Sequence, residues 1–364
     1  MAETQTISKL DIHKKGSTPS VLQTSFNYYA PSTPPQLNDL SILSGSSPDL
    51  TSHAGIPVTD LRSLPPPITI YNHETHGFQI LEQPLPIDSS HESVHDPKVM
   101  TTQYYPAIIS LLKEKFGIRS GVVINHTLRD VKDFSNFDPK KPHLQGLAPF
   151  FIAHSDYTAA GVRAHLWAMT PKWLEESDTV EGTTEEEREL FLRLRDEIAT
   201  AEDAAMVKAG IEPGDGDFTT GRGGHWEWDG RDYDGSRYGI FSIWRPWETV
   251  HRDPLAVLDT LGNDFEFMKL PRSYHNRKGY VKEYYTENVL VRPPTPGDEA
   301  KQKWYYLSEQ KPEEVYAIKL YDSEALRRGD GSVRLMCPHS AFQMEDMKDM
   351  PARRSCELRV WCIW

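Results

Sequence analysis

Phe150-Phe151-Ile152-Ala153-His154-Ser155-Asp156-Tyr157 is the stretch that decides how this chain is read. An apolar run delivers a histidine and an aspartate with one residue between them. Side chains alternate along a β-strand, so His154 and Asp156 project from one face of it. An imidazole and a carboxylate on a common face supply two of the three ligands of the facial triad that holds non-haem Fe(II) and leaves coordination positions open. An isolated His-x-Asp arises often by chance. It gains weight from the C-terminal part of the chain, where Cys337-Pro338-His339 is followed by Arg353-Arg354-Ser355-Cys356-Glu357-Leu358-Arg359.

A third ligand has to come from elsewhere in the fold, and His339, flanked by Pro338 and Ala341-Phe342, is the best candidate. On a final strand, Arg353, Ser355, Glu357 and Arg359 share one face, while Cys356, Leu358, Val360 and Cys362 share the other. The first face suits a cavity and the second suits packing. An inward Arg353 with the Ser355 hydroxyl beside it can hold the distal carboxylate of a dicarboxylic cosubstrate through bidentate hydrogen bonds. The plainer alternative is that Arg353 pairs with Glu357 or another acid on the barrel rim. Arg354 blurs which arginine faces inward, although strand parity with Ser355 favours Arg353. Cys337 is read as a buried small hydrophobe.

The 364 residues are 38% hydrophobic and include 9 Trp, 16 Tyr and 13 Phe, enough for a large core. A net charge of −13 argues against nucleic acid, whose phosphates need clustered Lys and Arg. No apolar run approaches the ~18 residues that cross a bilayer. The start of the chain lacks a basic-then-apolar leader, and Cys362-Ile363-Trp364 is not a lipidation box. With 3 Cys the chain fits a reducing, cytoplasmic setting. A monomer and a homodimer are equally open.

Residues 1–65 are rich in Ser, Thr and Pro and read as a flexible or loosely packed N-terminal segment. Residues 66–364 read as one domain, with a helical and loop insertion at about 172–236. Ile68–Tyr71 and Gly77–Leu81 are strand candidates. Tyr105, Ile108, Ile109, Leu112 and Phe116 recur at helical spacing, with Gly117 as the stop. Gly121–His126 reads as a buried strand, and His126 and Arg129 follow as secondary site candidates. After the His-x-Asp strand comes a polar loop. Thr183-Thr184 then caps a helix carrying Glu185–Glu187 in its first turn and a Leu190, Phe191, Leu194, Ile198 stripe. Ile240–Trp247 is a strong strand. Trp304–Leu307 and Val315–Leu320 look like an antiparallel pair turning at Glu313-Glu314. Strands dominate and nothing repeats, which suits a mainly β sandwich or barrel with helical buttresses rather than a βαβ array.

Several blocks, in order, resemble the fungal hydroxylase/desaturase group that includes the AsaB-type proteins, the gibberellin desaturases and relatives of the cephem 7α-methoxylase. They are Gly77-Phe78, Tyr104-Tyr105, Asn125-His126-Thr127-Leu128-Arg129, His154-Ser155-Asp156-Tyr157, Trp244-Arg245-Pro246 with Pro254-Leu255-Ala256, Pro312-Glu313-Glu314-Val315, Lys319-Leu320-Tyr321-Asp322-Ser323, Pro338-His339-Ser340-Ala341-Phe342, and Arg353-x-Ser355-x-Glu357-x-Arg359. The resemblance covers most of the chain from about residue 66. It implies a double-stranded β-helix (jelly-roll, cupin-like) core, Fe(II), and 2-oxoglutarate and O2 as cosubstrates. It implies His154, Asp156 and His339 as iron ligands and Arg353 with Ser355 as the cosubstrate clamp. Arg245 is a candidate second anion contact, against a role in packing between Trp244 and Trp247.

The activity so implied is oxidation of an unactivated C–H in a small secondary metabolite by hydroxylation, desaturation or rearrangement. Asp156 leaves no coordination position for chloride, which argues against halogenation. The many aromatics suit an apolar substrate but serve equally as core. Two other readings stand beside this one: a metal-dependent dioxygenase or isomerase of the same fold without 2-oxoglutarate, and a catalytically silent β-sandwich that binds a small molecule or protein. No nucleophile elbow supports a serine hydrolase, and no His-Glu-x-x-His helix supports a zinc hydrolase. Should His339 fail as a ligand, His225 and His251 are the next to consider.

Overall fold

The computed structural model describes residues 19–65, 68–130, 147–169, 171–176, 183–213, 228, 230–262, 265–275, 283–344 and 347–364. Two sheets carry the architecture. The larger draws on β1 (Val21–Tyr29), β2 (Leu50–Asp60), β5 (His154–Ser155), β7 (Leu255–Leu258), β8 (Phe267–His275), β9 (Glu283–Val291), β10 (Trp304–Tyr306) and β12 (His339–Ala341). The smaller comprises β3 (Phe78–Glu82), β4 (Ser120–Arg129), β6 (Tyr238–Pro246), β11 (Glu314–Asp322) and β13 (Ser355–Ile363). Their strand orders are β1-β2-β10-β7-β12-β5-β9-β8 and β3-β11-β6-β13-β4. The chain crosses repeatedly between sheets, and every pairing except β10 with β2 is antiparallel among the named strands. This is a jelly-roll, double-stranded β-helix arrangement, as the sequence predicts.

Side-chain parity sorts the core. Ile240 and Trp244 of β6, Leu255 and Val257 of β7, Ile318 and Leu320 of β11, and Trp361 of β13 fill the space between the sheets. The alternate residues Phe241, Ile243, Leu358 and Val360 face outward. Helix α2 (Tyr105–Phe116) covers them with Tyr105, Ile108, Leu112 and Phe116. Fully burying such a side chain stabilises by roughly 1.5–3 kcal/mol. Gly117, at φ 68°, ends α2 in the left-handed conformation that a side chain resists. The short helix α1 (His91–His95), capped by Ser90, precedes it.

The N-terminal segment departs from expectation. Residues 1–18 lie outside the described residues, but β1 and β2 belong to the larger sheet rather than to a loosely packed arm. Phe26, Tyr28, Ile56 and Val58 are buried, and Phe26 stacks on Trp304 at 4.4 Å. The few apolar residues fall at alternate positions, so a low overall hydrophobicity conceals a largely apolar covered face. A register shift between Thr24 and Phe26, opposite Gly55 at φ 77°, fits these strands together.

Other local expectations change too. Ile68–Ile70 is a 3-10 turn, not a strand. Trp304–Tyr306 and Glu314–Asp322 are not a hairpin, because β10 pairs with β2 and β7 while β11 pairs with β3 and β6 in the other sheet. The connection is tied to β2's end, where Asp60 accepts from Ser308 N and Oγ. After the His-x-Asp pair comes α3 (Ala159–Ala168) instead of a loop, capped by the Thr158 hydroxyl. The predicted Thr184 cap holds: α4 (Glu185–Lys208) opens with a full capping box between Thr184 and Glu187 and buries Phe191, Leu194 and Ile198.

Candidate active site

His154 and His339 face each other across the antiparallel pairing of β5 with β12. Their ring centroids lie 4.5 Å apart. Each Nδ1 is engaged by the carbonyl two residues before it, His154 with Ile152 O at 2.7 Å and His339 with Cys337 O at 3.3 Å. These bonds fix the rings and leave Nε2 for other work, as in oriented metal ligands. Asp156 Oδ1 stands 3.7 Å from His154 Nε2. One ligating atom from each of His154, Asp156 and His339 lies within 4.8 Å of the other two, and all three residues are buried.

The second carboxylate oxygen of Asp156 accepts from Arg359 Nε at 2.9 Å. Burial alone would raise this carboxyl's pKa, but the Arg359 guanidinium and the two imidazoles hold it well below the usual carboxylate range. Burial, with His339 alongside, pushes the His154 imidazole down to about 3. The trio is therefore an ionised carboxylate and a neutral imidazole facing His339. Such an N2O donor set fits Fe(II). Cys337 is outside this set, with its thiol on Leu258 O at 3.3 Å.

A narrow cavity opens on the two imidazoles, lined also by Arg129, Trp244, Arg353 and Glu357. Arg353 is 3% exposed; its guanidinium lies over the Trp244 ring at 5.1 Å and donates to Asp253 O. Burial, with the Arg129 charge near it, pulls the Arg353 guanidinium down to about 9. Arg353 Nε and Ser355 Oγ are both buried without a hydrogen-bond partner. A cation held this way, with a donor unused, is suited to receive a carboxylate. Ser355 pairs with Arg129 on β4 and with Pro246 on β6. Arg354 instead donates to Ser89 O at 3.3 Å, away from the cavity.

Arg245 corrects the sequence reading. It falls on the outward parity of β6 and is fully buried, with Nη1 on Gln83 O at 3.1 Å and Pro312 O at 2.8 Å. Its guanidinium faces the Tyr104 ring, not Trp244 or Trp247, and it contributes nothing to the cavity. Of the secondary candidates, Arg129 lines the cavity, with Nη1 on Ala148 O at 2.7 Å and Nη2 3.5 Å from Glu357. His126 is taken up by the Tyr105 hydroxyl. His251 is exposed, and His225 lies outside the described residues.

The sequence reading did not assign roles to Glu357 and Arg359. Arg359 bridges Asp156 and Glu357, the latter through Nη2 at 2.9 Å, and Glu357 in turn faces Arg129. Their spacing on the polar face of β13 was the available signal.

The sequence model of the oxidoreductase/YMDC permease-like domain family matches residues 23–183 and 226–363. The chain belongs to that family. The gibberellin cluster GA4 desaturase of Gibberella fujikuroi is 26% identical over 337 residues, which cover 87% of this chain and 88% of that protein. The alpha-ketoglutarate-dependent dioxygenase tstK of Talaromyces stipitatus is 24% identical over 357 residues, covering 97% of this chain and 99% of that one. Among solved structures, the iron and alpha-ketoglutarate-dependent endoperoxidase NvfI aligns over 94% of this chain and 98% of its own, with a TM-score of 0.55 and 20% identity. That likeness is one of fold. This member of the oxidoreductase family thus carries the jelly roll and keeps a His-Asp-His cluster between its sheets.

Proposed function

We propose that this chain is a non-haem Fe(II)- and 2-oxoglutarate-dependent oxygenase that hydroxylates, desaturates or rearranges a small molecule at an unactivated C–H. The observation that carries the proposal is the buried cluster of His154, Asp156 and His339, whose two imidazoles line a cavity that also contains the underused guanidinium of Arg353. We read the two sheets as one oxygenase domain, with 172–236 inserted between β5 and β6.

In this reading His154, Asp156 and His339 hold the metal, and Arg353 with Ser355 receives the far carboxylate of the cosubstrate. Bound Fe(II) and 2-oxoglutarate supply the O2-dependent oxidising chemistry, while the protein supplies position, orientation and electrostatics. Arg359 keeps Asp156 ionised and aims its free oxygen toward the imidazoles. The Ile152 and Cys337 carbonyls hold each imidazole with Nε2 inward. Trp244, Phe150, Leu255 and Ile318 give the cavity apolar walls that limit water. Arg129 and Glu357 oppose each other on its polar side.

The test is anaerobic addition of Fe(II) and then 2-oxoglutarate to metal-free protein, following the visible charge-transfer band of the chelated pair. The band should form in the parent protein and fail in Arg353→Ala. Iron uptake without a band points to an enzyme that does not use 2-oxoglutarate. No iron uptake at all rules the proposal out. With a substrate in hand, Asp156→Ala should abolish turnover.

A further inference from the structure

A second histidine–carboxylate cluster lies apart from the cavity. On α1, His91 and His95 are spaced i and i+4, which places both on one face of the helix. Their rings stack with centroids 4.1 Å apart and planes 23° from parallel. Both Nε2 atoms are directed at the same carboxylate oxygen, Asp130 Oδ2, at 2.5 Å from His95 and 3.9 Å from His91. Asp130 directly follows β4. One ligating atom from each residue lies within 4.8 Å of the other two.

A shared proton explains the His95–Asp130 bond but not why His91 is drawn to the same oxygen. Two protonated imidazoles stacked face to face would repel, and two neutral ones gain little from a single acceptor. A divalent ion replaces the protons on both Nε2 atoms and bonds the carboxylate at the same time. The His91 side chain is 67% exposed and that of Asp130 is 9% exposed, so the cluster has a fixed floor and an open side for water. Imidazole with carboxylate, in an open site, favours the late first-row ions over Fe(II).

We propose that His91, His95 and Asp130 form a second metal site, accessible from solvent, for a divalent late transition ion of the Zn(II) class. It shares no residue with the catalytic cluster. It nevertheless adjoins the cavity along the chain: Asp130 follows Arg129, and the Ser89 carbonyl just before α1 accepts from Arg354, the neighbour of Arg353.

The test uses the full chain stripped of metal, dialysed against micromolar Zn(II) and assayed for bound metal per chain. The wild type should hold one equivalent more than a His91→Ala/His95→Ala double variant, and Asp130→Asn should weaken that equivalent about tenfold or more. His91 is exposed while Asp130 is nearly buried, and unchanged circular dichroism establishes that both variants fold. The double variant should keep the Fe(II)/2-oxoglutarate band of the parent. Equal zinc in the wild type and the double variant overturns the site and leaves the catalytic reading intact. A single wild-type equivalent lost in the double variant supports the site and counts against the catalytic cluster. Loss of both zinc and band in a folded double variant overturns the claim that the two sites are separate.

Discussion

Arg359 Nε donates to Asp156 Oδ2 at 2.9 Å, so the carboxylate presents only Oδ1 to the imidazoles. The same guanidinium reaches Glu357 at 2.9 Å, which makes Arg359 the bridge between buried Asp156 and the Glu357 of the cavity. Replacing it by lysine keeps a charge but loses the fork. Arg359→Lys should fold and bind Fe(II) roughly 10–100-fold more weakly, the usual cost of a lost ligand-orienting partner. Arg359→Leu leaves the buried Asp156 carboxylate without its guanidinium partner, with only Arg129 still facing Glu357, and should destabilise by about 3–5 kcal/mol. Calorimetric iron titration and urea unfolding separate the two effects, and an iron affinity unchanged in the lysine variant would refute the orienting role.

Arg353 predicts a different split. Its removal costs a charge-assisted contact of about 1.5–3 kcal/mol, equivalent to roughly 10–100-fold in affinity. Arg353→Gln should weaken 2-oxoglutarate by that factor and leave Fe(II) affinity within a fewfold of the parent. Equal loss of both ligands would place the damage in the fold instead of the clamp.

Two histidines outside the cavity, His73 buried and His126 partly so, shape how stability depends on acid. Burial pushes His73 and His126 down to about 4, so the folded chain keeps both neutral while the unfolded chain protonates them near pH 6.5. The unfolded state then binds more protons, and stability falls as pH drops from about 6.5 toward 4, by up to ~1.4 kcal/mol per pH unit for each group. Glu202 has the opposite sign. Burial raises it to about 7, so its contribution is complete below pH 4.5 and is lost as pH rises through 7. The metal-free protein should therefore be most stable between about pH 6.5 and 7 with respect to these three groups. Urea midpoints across pH 5–8 test this, and Glu202→Gln should steepen the loss of stability from pH 7 toward 4.5, because a group whose slope opposes that of the histidines is gone.

Gly161 is where α3 meets β9. A methyl group there would sit 2.7 Å from Glu287 N and 2.9 Å from Glu287 O, backbone atoms that cannot step aside cheaply. Gly161→Ala should cost about 1–3 kcal/mol. It should also weaken iron binding, because the next residue of β9, Asn288, donates to the Asp156 carbonyl. Loss of stability with iron affinity untouched would show that α3 only buttresses the sheet.

Much of the centre could be read in advance because strand parity is a local property. Leading into and along β13, the alternation of Arg353, Ser355, Glu357 and Arg359 with Cys356, Leu358 and Val360 is visible without the fold; in the structure Arg353 and Glu357 line the cavity while the other set packs on the opposite face. The same logic failed on β6. All nine residues from Tyr238 to Pro246 are buried, since one face meets the other sheet and the other meets α2, so no polarity contrast separates Trp244 from Arg245. The N-terminal strands escaped notice for another reason. Gln23, Thr24 and Asn27 dilute β1, and only its partners in the sheet show which face is covered. Partner identity was also the missing information for β10 and β11, whose closeness in sequence suggested a hairpin that the crossing between sheets does not allow.

The meeting of His154 with His339 is a single residue pair in a strand of two residues, joined through about 185 intervening positions. Closing so long a loop carries an entropic cost that nearby contacts cannot offset, and chains dominated by distant pairings fold slowly. β12 is held on both sides, pairing with β7 as well as with β5. During synthesis, His154 and Asp156 emerge long before their partner, and the nascent chain carries no complete set of iron ligands. On the proposed ligand set, an oxygen-reactive metal therefore has no complete site until most of the residues that wall the cavity have been synthesised.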